Sequence, residues 1–334
     1  MSLNLFLCGS LLLILSLSCS RFSDDKPHQD SFKITFGSCS HQDKSQILWD
    51  EIVSEKPDLW IWCGDNIYGD SEDMQVLRGK YQKQKNNPLY QKLKVQTRIE
   101  GIWDDHDYGL NDGGKNYVMK SASQQELLDF LEVPKEDARC NREGVYYSFD
   151  ITKNEIQIKF ILLDTRYFRD DPLMNDSNYV PNYTGTILGA QQWEWLINEL
   201  KNSKADVHII VSSIQVLSDK HTEEKWGNFP NQRKKLLNLL SKPNIKLPII
   251  LSGDRHIGEI SRLNWQGKSI TEITSSSLTH ASTLRIPEEN LYRLDSLIFH
   301  ENYGVLHIPL KKKMTIESYL KGDGHRVWAS ESIY

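Results

Sequence analysis

The segment LWIWCGDNIYGD, residues 59–70, decides the fold. Its first five residues, Leu59 to Cys63, are all apolar, and the run stops at Gly64 and an acidic residue. A short apolar run bounded in this way is typical of a strand that is buried on both faces, as in a parallel sheet. Asp65 and Tyr68 follow directly. The strand is therefore predicted to present a carboxylate and a phenol at its carboxyl end.

Three other apolar runs end with residues of the same kinds. In FKITFGSCS (32–40) the apolar run is followed by Cys39. In GIWDDHDYG (101–109) it is followed by Asp104, Asp105, His106 and Asp107. In PIILSGDRHIG (248–258) it is followed by Asp254 and His256. In an α/β sheet, ligands bind beyond the carboxyl ends of the strands, so these segments are predicted to meet at one site. Cysteine, aspartate, tyrosine and histidine together indicate a metal centre.

The order of predicted elements favours an α/β fold. Strand patterns fall near 32–37, 58–63, 145–151, 156–163, 206–212, 247–252, 256–264, 269–275, 303–309 and 313–320. Helical patterns fall near 45–55, 73–92, 121–131, 190–201 and 231–241. Strands alternate with helices early in the chain and dominate after residue 250, which indicates an α/β core with an antiparallel addition. Long loops are predicted near 104–120, 166–189 and 213–230, where binding residues are often found.

The first residues are predicted to be an export signal. LNLFLCGSLLLILSLSCS (3–20) has the length of the apolar part of a signal peptide and is too short to be a convincing membrane span. Its end is similar to a bacterial lipoprotein cleavage site with Cys19 as the acylated residue; the alternative is simple cleavage near Ser18 or Ser20. The prediction is a signal peptide over 1–18, a polar tether over 19–31 and one folded domain over 32–334. The protein is then exported to the periplasm or cell surface, or secreted, and contacts the membrane only through a lipid anchor.

Charge and cysteine content narrow the functional classes. The formal net charge is −5, from 40 Lys and Arg against 45 Asp and Glu, and no basic block is present. A nucleic-acid-binding surface is therefore not indicated. A small anionic substrate remains possible, because a metal ion can hold it without a positively charged surface. The protein is expected to be a monomer. Removing the leader leaves three cysteines, Cys39, Cys63 and Cys140, so at least one thiol lies outside any single disulfide.

The motifs together resemble the calcineurin-like metallophosphoesterases, most closely their alkaline phosphatase D branch. The matching segments, in order, are GSC, GDNIY, WDDHD, LLDTRYF, SSIQVLSD, WGNFP and SGDRH, between about residues 32 and 280. The resemblance implies a four-layer αββα sandwich, in which two packed mixed sheets are flanked by helices. It also makes 32–334 a catalytic domain that hydrolyses small phosphoesters, as a phosphomonoesterase, a phosphodiesterase or both.

The resemblance assigns roles to individual residues. Asp65 would bridge two cations, with Fe³⁺ and Ca²⁺ as the expected pair and another divalent ion possible at the second position. A hydroxide shared by the two ions would attack phosphorus in line, and His106 would protonate the leaving oxygen as general acid. The implied iron ligands are Cys39, Asp65, Tyr68 and His256, and the implied ligands of the second ion are Asp105 and Asp254. Asp104 and Asp107 are expected to support these ligands or to face solvent.

Each assignment has a structural alternative. Cys39 could instead form a disulfide with Cys63 or occupy the core, as is expected of Cys63. Asp65 could cap a helix, and Tyr68 could simply pack. The candidate substrate-binding residues are Arg255, Arg166, Gln215, Trp226 and Asn228. Of these, Arg166 could instead form a buried bridge with Asp164, and Arg255 could point to solvent. Gln215 lies where many relatives have a histidine ligand, and Trp226 and Asn228 are expected at the pocket rim. His41, His221 and His280 are expected to be incidental.

Two functions of other classes stay open on the sequence alone. One is a surface lipoprotein that binds metal or phosphate without catalysis, which the nucleophile and acid set disfavours. The other is a zinc hydrolase of non-phosphate esters or amides. That function would require histidine-rich ligation, whereas only two of the predicted strand-end residues, His106 and His256, are histidines.

Overall fold

The structure is a computed structural model that describes residues 31–176, 178–284, 288–311 and 315–334. The predicted signal peptide, Cys19 and the predicted tether up to residue 30 lie outside the described residues. Within the described ranges, no helix combines the length and the apolar character needed to span a membrane.

The chain forms the following elements. The strands are β1 (Ser31–Gly37), β2 (Leu59–Cys63), β3 (Arg98–Ile102), β4 (Tyr147–Lys153), β5 (Ile156–Leu162), β6 (Leu173–Asn175), β7 (Asn178–Val180), β8 (Val207–Val211), β9 (Pro248–Ser252), β10 (Gly258–Trp265), β11 (Lys268–Ser275), β12 (Tyr303–Pro309), β13 (Ile316–Lys321) and β14 (Val327–Ile333). The helices are α1 (Leu48–Ser54), α2 (Met74–Lys85), α3 (Pro88–Gln96), α4 (Asp105–Tyr108), α5 (Lys120–Phe130), α6 (Gly189–Lys201) and α7 (Pro230–Leu240).

Two mixed sheets of six strands each organise the described residues. The first sheet has the order β14-β13-β12-β1-β2-β3, and the second has the order β10-β11-β9-β8-β5-β4. Strands β1, β2 and β3 run parallel in the first sheet, and β5, β8, β9 and β11 run parallel in the second. Antiparallel strands flank both parallel sets. The expected α/β class is confirmed.

The alternation of side chains along the strands builds four layers. Leu59, Ile61 and Cys63 of β2 belong to a core that is shared with strands of the second sheet. Trp60 and Trp62, on the opposite face of the same strand, pack against helices α1, α3 and α5. On the outer side of the second sheet, α6 and α7 cover a third cluster. The result is the helix–sheet–sheet–helix sandwich that the sequence resemblance implied.

The parallel strands bring their carboxyl ends to one edge of the sandwich. Ile34 of β1 pairs with Leu59 of β2, and Cys63 at the end of β2 pairs with Ile102 at the end of β3. The segments that follow these strands therefore emerge side by side. Ser31, at the start of β1, lies at the far end of the same strand.

The structure also differs from the predicted elements in several places. The helix expected over 73–92 is two helices, because the Asn87 side chain accepts bonds from the backbone amides of Leu89 and Tyr90 and starts α3 with Pro88 in its first turn. Strands β3 and β14 were not predicted. The predicted loops contain short elements, with α4 in 104–120 and the β6–β7 hairpin in 166–189.

Candidate active site

The strand ends bring the six predicted metal-site residues into one cluster. The Cys39 thiol donates to Asp65 Oδ2 at 3.4 Å, and the Tyr68 hydroxyl lies 3.2 Å from Nε2 of His256. Ligand atoms of Asp65, Asp105 and His106 all lie within 4.8 Å of one another. These contacts join segments that follow β1, β2, β3 and β9.

A second group of carboxylates shares a member with the first. Oxygens of Asp104, Asp105 and Asp254 also lie within 4.8 Å of one another. Asp105 therefore belongs to both groups, whereas the sequence resemblance implied Asp65 as the residue shared by two ions. Asp104 was expected only to support the ligands or to face solvent. It is instead fully buried within the group, and Asp107 is fully buried as well.

Without a cation, the buried carboxylates of the cluster repel one another. Burial, followed by the charges of Asp105, Asp104 and Asp107, raises the pKa of Asp65 well above its ordinary value. Burial, and then the charges of Asp104 and Asp105, likewise raises the pKa of Asp254. Asp65 Oδ1 and Asp104 Oδ2 are buried without a hydrogen-bond partner among the described residues. Oxygen atoms left in this state fit a site for metal ions, because a bound cation would supply the missing partners.

The Cys39 thiol and the Tyr68 phenol of the cluster also have raised pKa values. Burial is the largest effect on Cys39 and on Tyr68, and it raises the pKa of both groups well above their ordinary values. Both side chains can become ligands only by losing a proton, which a nearby metal ion favours. The disulfide alternative is wrong, because Cys39 and Cys63 are both free thiols and Cys63 packs in the core.

Four residues of the cluster hold an uncommon backbone conformation. The φ angles of Cys39, Asp65, Asp254 and His256 are 57°, 48°, 72° and 53°, all in the left-handed region. Each such residue costs on the order of 1–3 kcal/mol relative to ordinary backbone. Gly64, with φ of 98°, lies so near Asp104 that an added Cβ would be 2.6 Å from the Cβ of that residue. The turns after the strands thus aim the side chains inward at an energetic cost.

His106 lies at the edge of this cluster and lines the adjoining cleft. Its Nδ1 atom is 2.7 Å from Oδ1 of Asp70, and its ring centroid is 4.2 Å from that of Tyr68. Burial alone would lower the pKa of His106, but the hydrogen bond to Asp70 and the charge of Asp105 outweigh it and raise the pKa to about 9. The neighbouring carboxylates thus favour the protonated form of the imidazole, which can donate a proton.

Arg166 is buried beneath the carboxylates, so its predicted contact with substrate is not observed. Its Nε atom donates to Asp104 Oδ1 at 2.5 Å, and Nη1 lies 2.6 Å from Oε2 of Glu224. The proposed bridge to Asp164 is also wrong, since the Asp164 side chain accepts from the backbone amide of Arg166 and not from its guanidinium. A fully buried cation here offsets part of the repulsion in the cluster.

Gln215 is likewise an interior residue and does not line the cleft. Its carboxamide nitrogen donates to Glu259 Oε2 at 2.9 Å and to Thr274 Oγ1 at 2.8 Å, and the side chain is 1% exposed. These bonds hold it between β10 and β11, so the prediction of a substrate contact is not supported.

Trp226 and Asn228 are also displaced from the predicted rim. The Trp226 indole N–H donates to Ser212 Oγ at 3.0 Å, and the ring packs in the core beneath α6 and α7. The Asn228 side chain accepts from the backbone amide of Lys225 at 2.8 Å. Loop 213–230 folds inward over the second sheet, and this burial removes both side chains from the cleft.

Arg255 does line the cleft, next to Asp254 and His256. One of its terminal nitrogens, Nη2, contacts both carboxylate oxygens of Glu288 at 2.6 Å. The cleft has a volume of about 900 Å³, which exceeds the space needed for a phosphate ion alone. A substrate with a sizeable alcohol component therefore fits beside the cluster.

Comparisons with known proteins show the family and the fold. The family model described as PhoD-like phosphatase matches residues 34–303. Alkaline phosphatase D of Bacillus subtilis (strain 168) is 29% identical, over 76% of this chain and 53% of the relative. The chain thus spans about half the length of this curated relative.

Solved structures show the same fold. The structure of PhoD matches with a TM-score of 0.74 at 19% identity, over 91% of this chain and 68% of the other. GAP50, the anchor in the inner membrane complex of Plasmodium, matches with a TM-score of 0.61 at 14% identity, over 91% and 89% of the two chains. A dimetal phosphatase from Danio rerio matches with a TM-score of 0.52 at 13% identity, over 91% and 99%. At these identities the likeness concerns the fold alone.

Proposed function

Because the chain belongs to the PhoD-like phosphatase family, we propose that it is a metal-dependent hydrolase of phosphomonoesters, phosphodiesters or both. The observation that supports this most is the cluster in which Asp105 is common to two groups of possible metal ligands, one with Asp65 and His106 and the other with Asp104 and Asp254. Two of its oxygens, on Asp65 and Asp104, lack partners among the described residues. Such a cluster is costly to build unless cations occupy it.

The donor set supports ferric iron at one position and calcium at the other. Cys39, Tyr68 and His256, with Asp65, would hold the iron, since a phenol ionises readily beside a strong Lewis acid. Asp105 and Asp254, with Asp65, offer the hard carboxylate oxygens that calcium prefers. When bound, the ions would supply Lewis-acid activation of water and neutralise charge on the phosphoryl oxygens.

His106 would donate the proton that the leaving oxygen needs. Its Nδ1 atom is engaged by Asp70, which leaves Nε2 as the nitrogen for the substrate. The protonated state of this imidazole, favoured by the neighbouring carboxylates, suits a general acid. Arg166 would keep Asp104 and Asp105 in position from below, since its guanidinium contacts the first at 2.5 Å and approaches the second at 3.8 Å.

Metal removal and restoration test the proposal directly. Protein purified from its native host is assayed for bound metals and for turnover of p-nitrophenyl phosphate and bis-p-nitrophenyl phosphate. Chelation should abolish turnover of both, and ferric iron with calcium should restore it where either ion alone does not. Full turnover by a protein free of metal would contradict the hydrolase mechanism, and restoration by zinc alone would contradict the iron assignment.

We also propose export as a monomer with an acyl anchor at Cys19, based on the apolar leader and the cysteine that ends it. Mass spectrometry of the mature amino terminus tests this. A terminus at Cys19 with added acyl mass is expected, and an unmodified terminus elsewhere would contradict the anchor. Sedimentation of the delipidated domain tests the monomer.

A further inference from the structure

One wall of the cleft carries a histidine with no structural role. His221 lines the cleft and is 5% exposed, yet neither of its ring nitrogens has a hydrogen-bond partner among the described residues. A buried polar side chain without partners costs free energy unless a ligand supplies them. The sequence alone gave no reason to single out this residue.

The hydrogen bonds of a second buried histidine, His208, provide a comparison. His208 of β8 is fully buried, and both of its nitrogens are paired: Nε2 lies 2.8 Å from Ser203 Oγ, and Nδ1 lies 2.8 Å from the carbonyl oxygen of Lys246. His221, by contrast, lines a cleft and lacks partners among the described residues. The comparison favours a ligand-binding role for His221.

The segment that carries His221 is anchored to the metal-site cluster. Glu224, three residues on, is buried between the guanidinium groups of Arg166 and Arg169. Arg169 also donates to the carbonyl oxygens of Asp112 and Gly113, in the segment that follows α4. Since these contacts are buried and charged, they hold the wall at a defined place relative to Asp105. The wall is therefore organised before a ligand arrives.

The surroundings of His221 are positively charged. Arg255, Lys225 and Arg293 are the charges that act on its ring, and with burial as the largest effect they keep its pKa far below the ordinary value. The ring is thus neutral and offers one N–H donor. The buried ammonium of Lys225 contacts a backbone carbonyl at 2.9 Å, and no carboxylate of the described residues lies within 4.0 Å of it.

Arg255 has unused donors on the same wall. Glu288 engages only its Nη2 atom, and its Nε atom is buried without a partner among the described residues. Arg293, by contrast, is paired with Glu259 at 2.5 Å. Among the acids that line the cleft, Glu223 and Glu289 are exposed, and Glu224 is paired with buried arginines. The wall therefore presents, within the described ranges, unpaired nitrogen atoms on His221 and Arg255 beside Asp254.

We propose that His221 and Arg255 form a recognition site for a second anionic group of the substrate, such as a carboxylate or a further phosphate near the phosphoryl group that is cleaved. The inference rests on the proposed hydrolase function and names its substrate class. One anionic oxygen accepts the His221 N–H and another accepts from Arg255, so each orphaned donor gains a partner. The charges of Arg255 and Lys225, which act on the His221 ring, favour a charged group over a neutral hydroxyl at this point of the cleft.

Two substrates that differ in one group test the proposal. 2-Phosphoglycolate carries a carboxylate where 2-hydroxyethyl phosphate carries a hydroxymethyl group, and phosphate release reports kcat/KM for both. The metal-loaded enzyme should prefer phosphoglycolate by at least about tenfold, the effect of one charge-assisted hydrogen bond. His221→Gln and Arg255→Gln should each lower this ratio toward one. The exposed His300, changed by His300→Gln, is the matched control and should keep the ratio.

A binding measurement separates this inference from the hydrolase proposal. Calorimetry compares phosphonoacetate with methylphosphonate, which are not hydrolysed, and circular dichroism shows that each variant is folded. Tighter binding of phosphonoacetate to the wild type, reduced in either variant, supports the recognition site even where turnover fails. A ratio near one in the wild type, or a preference unchanged in both variants, overturns the recognition site and leaves the hydrolase intact. If the metal-loaded protein turns over neither ester, the proposed hydrolase function is contradicted, and the recognition site is not.

Discussion

Asp70 Oδ1 lies 2.7 Å from Nδ1 of His106, and this contact leaves Nε2 as the imidazole nitrogen that can act on a substrate. A carboxylate in this position orients the ring and stabilises its protonated form. The contact joins the loop after β2 to the first turn after β3. It allows the role of His106 to be separated from the role of the metals.

The size of the His106 effect should depend on the leaving group. A nitrophenolate departs without a proton, whereas an alkoxide needs one. His106→Ala should therefore lower kcat for an alkyl phosphate by about 10²–10⁴-fold, and kcat for p-nitrophenyl phosphate by far less. Asp70→Asn should show the same pattern at about a tenfold loss. Equal losses for both esters would remove His106 from the proton-donor role.

Exchanging the Asp65 carboxylate for an amide should raise thermal stability and lower turnover. Asp65→Asn removes one of several buried charges that repel each other, so Tm of the chelator-treated protein should rise. Turnover should fall by at least about a hundredfold because the proposed bridging metal ligand is lost. Differential scanning calorimetry and a phosphate assay measure the two effects. The exposed Asp295, changed to Asn, should alter neither, and retained turnover in Asp65→Asn would exclude Asp65 from the metal site.

Iron bound through Tyr68 should colour the protein. A phenolate ligand gives ferric iron a charge-transfer band in the visible range, so Tyr68→Phe should lose most of that absorbance while the fold survives. Absorption spectroscopy with iron analysis on each sample provides the measurement. Tyr183, which is 60% exposed, gives the control Tyr183→Phe, with no spectral change expected. An unchanged band in Tyr68→Phe would show that the phenol does not bind iron.

Removing the buried guanidinium should be costly for the fold. Arg166→Met leaves Asp104 and Glu224 as buried charges that have lost a partner, and the free energy of unfolding should fall by about 3–5 kcal/mol. Urea unfolding of the chelator-treated protein measures it. Lys83 pairs with Asp43 at the surface, where both side chains are at least half exposed, so Lys83→Met should have little effect. Similar small losses in both variants would contradict a structural role for the Arg166 network.

Stability should depend on pH through Glu272 of β11. Burial, only partly offset by hydrogen bonds from the amides of Val216 and Leu217, raises its pKa from 4.5 to about 7. The folded protein therefore keeps a proton that the unfolded chain releases, and stability falls as pH rises through this window. The loss is about 3 kcal/mol at most. Glu272→Gln should remove this part of the slope in urea unfolding at pH 5 and pH 8 of chelator-treated protein, and an unchanged slope would contradict it.

The central strands were predictable because burial on both faces leaves a visible apolar run. All five residues of β2 and all five of β9 are buried. The two missed strands of the first sheet are its edges, β3 and β14, where one side faces solvent. Polar residues such as Arg98 and Glu331 interrupt their sequences, so β14 shows no apolar run and β3 contributes only its last residues to the short run before Asp104. The break between α2 and α3 did have a local signal, the Asn87–Pro88 pair.

The site was predictable only in its outline. Residues that directly follow parallel strands must meet at one edge, so Asp65 and Asp254 could be placed by chain order alone. Trp226 and Arg166 could not, because their surroundings depend on how long loops fold over the second sheet. Asp104 was undervalued because two adjacent aspartates give no indication of which one turns inward, and here both do.

The direction of β1 has a practical consequence. Ser31 opens the strand and Cys39 follows its other end, so seven residues of extended chain, about 20 Å, separate the point of entry from the reactive edge. A tag or surface linker joined ahead of Ser31 would meet the domain on the side away from the opening. Protein immobilised in this way should keep the candidate active site turned toward the bulk solution.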